Sequence, residues 1–597
     1  MKQILRLGVV FFLSSCHHTA PKIESQSHSS HSTSLISWQG WSDDLFARAS
    51  KQNKLILLDL EAVWCHWCHV MEEKTYSNPE VATLITFHFI AVRVDQDSRP
   101  DLSNRYGEYG WPATIVFDSK GNELTKQRGY IDPIEMKNLL ELLVSNPSDP
   151  ALLQQRKTLS VSQGSQTLDK DQIQKLKGIH RSSYDFEEGG WGFGHKFIDL
   201  PCVDYEFSQF QNDPKAKQIT AQTLDALEAL IDPVWGGVYQ YSTHGDWVHP
   251  HFEKIMTIQT QSILAYAHGY QFLEYSRYQD FAQRVYDYLI EFLMSSDGSF
   301  YTSQDADLIP GQHSEGYFSL GDRARRKKGI PRIDKNIYAR ENGWVIEALA
   351  GLYGATGNPE FLSRAVSASQ MMLRDYRLEH GGFRHDERDQ GAYLGDSLSM
   401  GKALLSLYEH TANRSWLKHS EQALAYIDSQ FTNPDSKVGG YITSLHTIAG
   451  KAALPDREEH IALTRYANSL HDYTGNSDYD VIAKRAMRYL SIPEIARQAY
   501  TAGVLLADQE LSQEPIHITV VGSKSDVQAK RLFQKALSFP LIYRRIEWKD
   551  PVEGPLPNPD VDYPVLKKAA AFLCTQKTCS SPLYTEEELE KRIEKSS

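Results

Sequence analysis

The chain has 597 residues, of which 41% are hydrophobic, and this is enough for three or four domains with ordinary cores. Its formal net charge of -13 argues against nucleic acid or an anionic lipid surface as a binding partner. Six cysteines are too few for a disulfide scaffold of this size, so each one can be considered individually.

The first sixteen residues have the pattern of a targeting segment. Lys2 and Arg6 precede an apolar run, residues 7–13, that is too short to span a bilayer. The following Leu13-Ser-Ser-Cys16 resembles a bacterial lipoprotein signal, which implies that Cys16 is lipidated. We therefore expect a lipid-anchored, extracytoplasmic protein on the periplasmic side of the bacterial cell envelope. The alternative is ordinary secretion after a slightly later cleavage.

Residues 17–35 are rich in serine and histidine and contain almost no apolar side chains, so they cannot form a core. We expect them to form a flexible tether. Its histidines (His17, His18, His28 and His31) are not preorganised for a metal, and we predict no metal site and no cofactor. Farther along the chain, no apolar run is long enough for a transmembrane span.

The first domain begins around an apolar run of strand length, Leu55 to Leu60, which leads into Cys65-His66-Trp67-Cys68 and then a helical pattern. The start of a helix leaves N–H groups unpaired and carries partial positive charge, so it stabilises a thiolate. This arrangement predicts a partly exposed Cys65 with a lowered pKa as the nucleophile. Cys68, one turn later, would resolve the mixed disulfide.

Several further residues extend this pattern: Asp59, Trp64, Val94-Asp95, and Gly110-Trp111-Pro112 before an apolar strand. Together they resemble thioredoxin, and we assign a thioredoxin-like α/β domain to residues 36–150. The segments CHWCHVMEEKTYSNPEV, VDQDSRPDL and GWPATIVF more narrowly resemble the bacterial and eukaryotic family that includes spermatogenesis-associated protein 20. In that family, a thioredoxin-like domain precedes a helical toroid.

The resemblance implies roles for individual residues. Cys65 would attack, Cys68 would resolve, Pro112 would be a cis proline facing the pair, and Asp59 would be the buried acid that accepts the proton of the resolving thiol. The supporting residues of the site are Trp64, His66, Trp67 and Trp111. A cationic His66 beside the thiolate should favour the dithiol form and make the couple more oxidising.

Other interpretations of the same cysteines remain open. Cys65-x-x-Cys68-His69 also matches the attachment signal for c-type haem. Zinc could be bound by Cys65 and Cys68 together with the later pair Cys574 and Cys579, although that pair has a different spacing. An inert structural disulfide is the third alternative.

From residue 165 to 500 the pattern becomes helical and repeats. A Thr-Gly/Ala-Asn turn joins two amphipathic runs at residues 356–358, 411–413 and 474–476, which indicates helical hairpins. Between hairpins lie five loops with glycine and an aromatic residue, near residues 189–191, 236–238, 297–300, 381–383 and 439–441. The two signals predict an all-α (α/α)6-type toroid, which resembles six-hairpin glycosidases and N-acylglucosamine epimerases.

In such a ring the glycine-aromatic loops gather around a central depression, which we call the pit. Acidic and polar residues predicted to line it are His251, Glu253, Asp305, Asp307, Glu315, Glu341 and Asp396. Paired carboxylates in an aromatic pit suit glycoside chemistry. The chain departs from the related family at Thr257-Ile258 and at Glu341, where that family commonly has Tyr-Asp and Trp. We therefore rank the pit as a binding surface before a catalytic site.

Residues 501–597 read as a small α/β unit, with strand patterns at 516–521 and 542–548 around a helix. The segment Gly522-Ser-Lys-Ser525 lacks the Walker spacing, so nucleotide binding is not expected. In an oxidising compartment, Cys574 and Cys579 should form a local structural disulfide. Cys202 should be a buried free thiol.

These observations together predict a thiol–disulfide oxidoreductase that acts on protein dithiols or disulfides and is fused to a toroid that binds a substrate or partner. The alternative is a carbohydrate-binding or carbohydrate-modifying toroid with an accessory thioredoxin-like domain. A scaffold or chaperone with neither activity is a third hypothesis.

Overall fold

The structure is a computed structural model that describes residues 34–146, 164–435, 437–575 and 578–595. The expected targeting segment with Cys16, and the expected tether as far as residue 33, lie outside these ranges. Among the helices of the described ranges, none combines the length and the apolar character needed to cross a bilayer.

The N-terminal domain is built on a four-stranded sheet with the order β2-β1-β3-β4. The strands are β1 (Leu55–Glu61), β2 (Phe89–Asp95), β3 (Ala113–Phe117) and β4 (Glu123–Arg128). Strand β2 runs parallel to β1, whereas β3 and β4 are antiparallel to their neighbours. Because helices cover both faces, the central strand β1 is buried along almost its whole length, which explains its continuous apolar run.

The helices of this domain are α1 (Leu45–Gln52), α2 (His66–Val70), α3 (Pro79–His88), α4 (Pro100–Tyr106) and α5 (Pro133–Ser145). A π-helical segment, Met71–Tyr76, continues directly from α2. Helices α3 and α5 pack on one face of the sheet, and α1 and α4 pack on the other. The thioredoxin-like fold expected from the sequence is confirmed.

The middle of the chain forms a double ring of helices. In the described residues, six helices form the inner ring: Leu200–Ser208, Met256–Leu273, Ala339–Thr356, Leu394–Thr411, Arg457–Thr474 and Ala502–Ser512. The outer helices are Lys170–Ser182, Ala216–Leu227, Ser276–Tyr288, Pro359–Asp375, Arg414–Phe431 and Ser477–Leu490. Shorter helices lie at Glu315–Phe318, Asp322–Lys328 and Pro493–Ala496, and two-residue strands lie at Tyr241–Ser242, Pro250–His251, Lys254–Ile255, Ser303–Gln304 and Ile333–Asp334.

The ring closes where its last segment meets its first. Thr501 Oγ1 donates to the carbonyl of Leu176 at 2.9 Å, and Asp508 accepts from the backbone N–H of Leu168 at 2.7 Å. One continuous hydrophobic core extends from Leu168 to Ala507. The toroid therefore continues through Ser512, beyond the boundary at residue 500 expected from the sequence, because the apolar residues of its last helix face the ring.

Both repeat signals have a clear structural basis. The inner helices that end at Thr356, Thr411 and Thr474 are each followed by one residue in the left-handed conformation, and the next asparagine then caps the outer helix. Each glycine-aromatic loop is closed by an antiparallel bridge, as between Tyr184 and Trp191. The turns lie at one end of the ring and the loops at the other, as predicted.

The C-terminal unit is a small α/β sheet. Its central strand, Ile516–Val521, pairs parallel with Arg544–Lys549 and antiparallel with Ala570–Thr575, and Thr578–Cys579 pairs at the edge. Helices Val527–Ser538 and Glu586–Glu594 pack against it. This is the strand order and direction of the N-terminal sheet, but Gly522–Ser525 stands where the first sheet has its cysteines. A disulfide joins Cys574 to Cys579.

The two α/β units contact opposite ends of the toroid. The C-terminal unit packs on the end that carries the turns, where Lys524 Nζ donates to the carbonyl of Ala412 at 2.8 Å. The N-terminal domain packs on the end that carries the glycine-aromatic loops, where the Ala306 N–H donates to the carbonyl of Trp64 at 3.2 Å. The pit is therefore covered by the thioredoxin-like domain.

Candidate functional site between the thioredoxin-like domain and the toroid

The two cysteines lie at the start of helix α2, which follows strand β1. Cys65 is the N-cap residue of α2, and its Sγ accepts a hydrogen bond from the backbone N–H of Cys68 at 3.2 Å. The Trp111–Pro112 peptide bond is cis, and Trp111 packs against the cluster that contains both cysteines. This local geometry is the one that the resemblance to thioredoxin implies.

Neither cysteine is exposed, contrary to the expectation from the sequence. Cys65 and Cys68 are each 4% exposed, and Ile255 of the toroid packs on them together with Trp111. Of the motif, Trp67 is the residue that reaches solvent, with 42% of its surface exposed. The pit loops cover Cys65, and no local sequence pattern indicates this, because those loops are nearly 200 residues away along the chain.

Three acidic residues of the pit lie against helix α2 or the residues it carries. Asp307 accepts hydrogen bonds from His66 Nδ1 at 2.9 Å and from His69 Nδ1 at 3.1 Å. Asp305 lies 3.6 Å from His69 Nε2, and Glu253 Oε1 accepts from the backbone N–H of His66 at 3.4 Å. The residues predicted for two separate sites therefore form one cluster.

Burial determines the acidity of the thiols. Burial raises the pKa of Cys65. The hydrogen bond from Cys68 lowers this pKa, whereas the negative charge of Glu253 raises it further. Burial also holds the pKa of Cys68 well above its usual range. The predicted lowering of the Cys65 pKa is therefore wrong for this docked arrangement.

The carboxylates and imidazoles at this interface are also shifted. Burial raises the pKa of Asp305 to about 7. Burial opposes the ionised form of Asp307 too, but hydrogen bonds from His66 and His69 lower its pKa overall. The bond to Asp307 likewise outweighs burial at His69 and raises the pKa of that imidazole. His66 is thus committed to Asp307 and is not the free cation beside the thiolate that the sequence suggested.

Asp59 is buried as expected, and burial raises its pKa, but its partner differs from the expected one. Its Oδ2 accepts from Arg93 Nε at 2.8 Å. Glu61 is the carboxylate with the largest effect on the pKa of Cys68. The predicted direct exchange of a proton between Asp59 and Cys68 is therefore not supported by the contacts of Asp59.

The other residues predicted for the pit have different surroundings. His251 stacks on Tyr241 with ring centroids 4.3 Å apart, and its Nδ1 lies 3.9 Å from Glu253 Oε2. Asp396 accepts a hydrogen bond from His385 Nδ1 at 2.9 Å. Burial lowers the pKa of His385, but the negative charge of Asp396 outweighs burial and raises that pKa to about 9. Glu315 is exposed at the start of a short helix and does not belong to the cluster.

A cavity of about 220 Å³ lies between the two domains, beside the cysteines. Trp64, Asp97 and Trp111 line it from the thioredoxin-like domain, and Ile255, Thr257, Thr302, Arg340, Glu341 and Trp344 line it from the toroid. Glu341 is 2% exposed, and its Oε2 has no hydrogen-bond partner although its Oε1 binds Arg340. Thr257 and Glu341, two of the departures from the family pattern, thus meet in one cavity.

Sequence reasoning missed several residues of this site. Asp97, Arg340, Trp344 and His385 were not predicted, and His69 was considered only as part of a haem signal. Asp97 accepts from Trp64 Nε1 at 2.8 Å, and its backbone carbonyl accepts from His385 Nε2 at 2.7 Å. Two acids directly after a buried strand, Asp95 and Asp97, were the available signal.

The structure bears on the zinc and haem alternatives for the cysteines. Zinc binding by both cysteine pairs is excluded, because the sulfurs of Cys574 and Cys579 are bonded to each other in the unit at the opposite end of the toroid. A c-type haem would require His69 to leave Asp307 and the pit loops to leave the buried thiols.

The fold and site define a thioredoxin-like domain that caps a helical toroid. Residues 21–146 match the Thioredox_DsbH family, described as "Protein of unknown function, DUF255". Over a shorter stretch, the chain is 31% identical to the thiol:disulfide interchange protein DsbD of Colwellia psychrerythraea across 90 residues, which cover 14% of this chain and 15% of that protein.

Over nearly its whole length, the chain is similar to spermatogenesis-associated protein 20, as its motifs suggested. It is 22% identical to the human protein over 734 aligned residues, covering 94% of this chain and 90% of that one. Among solved structures, it is similar to cellobiose 2-epimerase from Bacillus thermoamylovorans. The two are 12% identical, the match covers 54% of this chain and 87% of that one, and the TM-score is 0.43. It is also similar to a family 76 glycoside hydrolase from Bacteroides thetaiotaomicron. The two are 12% identical, the match covers 57% of this chain and 96% of that one, and the TM-score is 0.41.

We predict that Glu253→Gln lowers the pKa of Cys65, because it removes the negative charge that disfavours the thiolate. In the reduced full-length protein, iodoacetamide should modify Cys65 about three- to tenfold faster at pH 7, as measured by peptide mapping over a pH series. Glu315→Gln, an exposed charge outside the cluster, is the control and should have no effect. An unchanged or slower rate in Glu253→Gln would contradict the electrostatic role of Glu253.

Proposed function

We propose that the protein is a thiol–disulfide oxidoreductase in which Cys65 is the nucleophile. The observation that carries this proposal is the position of Cys65 at the N-cap of α2, with the Cys68 N–H on its sulfur and the cis Trp111–Pro112 bond beside the pair. The similarity of the N-terminal domain to DsbD over 90 residues supports the same class of chemistry.

The proposed cycle consists of two successive thiol–disulfide exchanges. The Cys65 thiolate attacks one sulfur of a substrate disulfide, and the other substrate sulfur leaves and takes up the proton that Cys65 has lost. Cys68 then loses its proton and attacks Cys65 Sγ, which releases the second substrate sulfur as a thiol. The substrate gains two electrons and two protons, and the pair becomes a disulfide. A dithiol reductant returns it to the reduced form, and the reverse sequence oxidises a substrate.

The docked arrangement would be a resting form of this enzyme. A protein disulfide cannot approach a sulfur that is 4% exposed, and burial raises the pKa of that thiol. The contacts that would have to separate for a protein substrate are those of Asp307 with His66 and His69. We therefore propose that the thioredoxin-like domain leaves the pit when it reacts with a protein client.

A second candidate function, binding of a small carbohydrate, is favoured by the cavity. Three tryptophans, Trp64, Trp111 and Trp344, supply flat apolar faces, and Glu341 supplies a buried oxygen without a partner. At about 220 Å³ the cavity suits a ligand of monosaccharide size. Both domains line it, so such a ligand would be held between them.

We also propose that the protein acts outside the cytoplasm and is anchored by lipid on Cys16 at the periplasmic side of the cell envelope. The support is the sequence alone: a basic start, a short apolar run and Leu13-Ser-Ser-Cys16. A redox pair that exchanges disulfides would find substrates in such an oxidising compartment.

The redox proposal predicts that the full-length protein accelerates reduction of insulin by dithiothreitol and that Cys65→Ser abolishes this acceleration. Cys68→Ala should instead accumulate mixed disulfides with client proteins, visible on non-reducing gels. Cys202→Ser, which removes a buried thiol of the toroid, should retain the activity. If Cys65→Ser retains full activity, Cys65 is not the nucleophile.

The carbohydrate proposal predicts that mannose or glucose raises the melting temperature of the full-length protein and that Trp344→Ala removes this effect. Trp67→Ala, which changes a tryptophan outside the cavity, should preserve it. The idea fails if no sugar in the millimolar range shifts the melting temperature, or if the Trp344 variant responds as strongly as the native protein.

The anchoring proposal predicts that radiolabelled palmitate is incorporated into the protein in its bacterial host and that Cys16→Ala loses both the label and the membrane association. Cys202→Ala should keep both. Recovery of the native protein from the soluble periplasm without a lipid would count against the anchor.

A further inference from the structure

A second group of acidic side chains lies between the two domains, where the indole of Trp64 donates to one of its members, Asp97. Asp95 is the last residue of strand β2 of the thioredoxin-like domain, Asp97 lies two residues beyond it, and Asp334 ends a short strand of the toroid. One carboxylate oxygen from each residue lies within 4.8 Å of the other two. Asp97 and Asp334 are 6% and 4% exposed.

The hydrogen bonds of these carboxylates leave capacity for a further ligand. Asp334 Oδ1 accepts from the side chain of Asn336 at 2.8 Å, but Asp334 Oδ2 has no hydrogen-bond partner, although the residue is 96% buried. Asp95 accepts from the backbone N–H groups of Val63 and Ser98, each at 3.2 Å. A buried carboxylate oxygen without a partner is costly unless something satisfies it.

Two arginines act on this group without neutralising it. Arg332 lowers the pKa of Asp334, but burial outweighs it and raises that pKa overall. Arg340 Nη2 lies 3.9 Å from Asp97 Oδ1, but the same nitrogen binds Glu341 at 2.6 Å. Asp97 otherwise accepts from the neutral donors Trp64 Nε1 and Gln96 Nε2. Burial raises the pKa of all three carboxyls, that of Asp95 to about 6, and mutual repulsion adds to the increase for Asp95 and Asp97. A bound cation would offset both the mutual repulsion and the cost of burial of the ionised carboxylates.

We propose that Asp95, Asp97 and Asp334 bind a hard divalent cation, of which calcium is the best candidate. All the ligand atoms are oxygens, and no histidine or cysteine belongs to the group, which favours calcium, magnesium or manganese over zinc or copper. Calcium tolerates irregular geometry and six to eight oxygens, some of them from water. Asp97 also lines the cavity of about 220 Å³, which offers space for such waters.

The second acidic group at this interface, His69 with Asp305 and Asp307, is a weaker candidate. Asp307 already accepts hydrogen bonds from two imidazoles, so its oxygens have partners without a metal. The contrast with the unpartnered oxygen of Asp334 distinguishes the two groups.

A cation at this site would join the two domains next to the nucleophile. Asp95 accepts from the N–H of Val63 and Asp97 from the indole of Trp64, the two residues before Cys65. Asp334 belongs to the strand that pairs with Ser303–Gln304, which leads directly to Asp305 and Asp307. Binding of the ion would thus stabilise the docked arrangement. This inference does not depend on the proposed redox function.

The test uses terbium as a luminescent probe and calcium as the competitor, with the full-length protein after treatment with EDTA. Excitation of tryptophan should produce terbium emission, because Trp64 donates directly to Asp97, and calcium should displace the terbium. Millimolar calcium, but not sodium at equal ionic strength, should raise the melting temperature by at least about 2 °C.

Asp334→Asn should weaken terbium and calcium binding by at least tenfold. The asparagine can keep the hydrogen bond to Asn336 and removes one of three repelling charges, so its melting temperature in EDTA should equal or exceed that of the native protein. Asp95→Asn should behave in the same way and serves as the second variant. Asp305→Asn, a matched change in the other acidic group, should bind terbium and calcium within about twofold of the native protein.

The proposal is overturned if the native protein shows no sensitised emission and no calcium-dependent shift in melting temperature. It is also overturned if Asp334→Asn and Asp95→Asn both bind like the native protein, or if binding is lost in Asp305→Asn and kept in both of the others.

Discussion

The hydrogen bonds from His66 and His69 to Asp307 attach helix α2 to the toroid, and the rest of the site depends on them. Asp307 is 2% exposed, so the loss of either imidazole would leave a buried charge poorly compensated. With this contact in place, Glu253 lies at the start of α2, Ile255 covers the cysteines, and the cavity is enclosed on both sides. Docking therefore governs both access to the thiols and their acidity.

Two effects compete at Cys65, and their sizes decide the outcome. A helix N-terminus stabilises a nearby negative charge by about 0.3–2 kcal/mol. Complete burial can move a pKa by up to about 3–5 units, which corresponds to several kcal/mol. Burial therefore exceeds the contribution of the helix while the domains are docked. The proposed departure of the toroid would remove Ile255 from the cysteines and the negative charge of Glu253 from Cys65, both of which disfavour the thiolate.

The parts of the structure that were predictable from sequence are those encoded by neighbouring residues. The strand and helix around Cys65, the asparagine caps after Thr356 and Thr411, and the glycine-aromatic loops all follow from local patterns. Glu253 and Asp307 contact His66 across 187 and 241 residues, and no period or motif encodes such docking. The burial of Cys65, the partner of Asp59 and the shared cavity were therefore beyond sequence reasoning.

The C-terminal unit repeats the sheet of the N-terminal domain without its reactive residues. After its first strand stands Gly522–Ser525 instead of two cysteines, and Ala569 precedes its third strand where the other sheet has Pro112. Two units with one topology thus hold opposite ends of a single ring, and only the N-terminal one carries a C-x-x-C pair at the start of the helix that follows its first strand. A survey that inferred C-x-x-C pairs from the fold alone would therefore assign this protein two of them, although its sequence contains one.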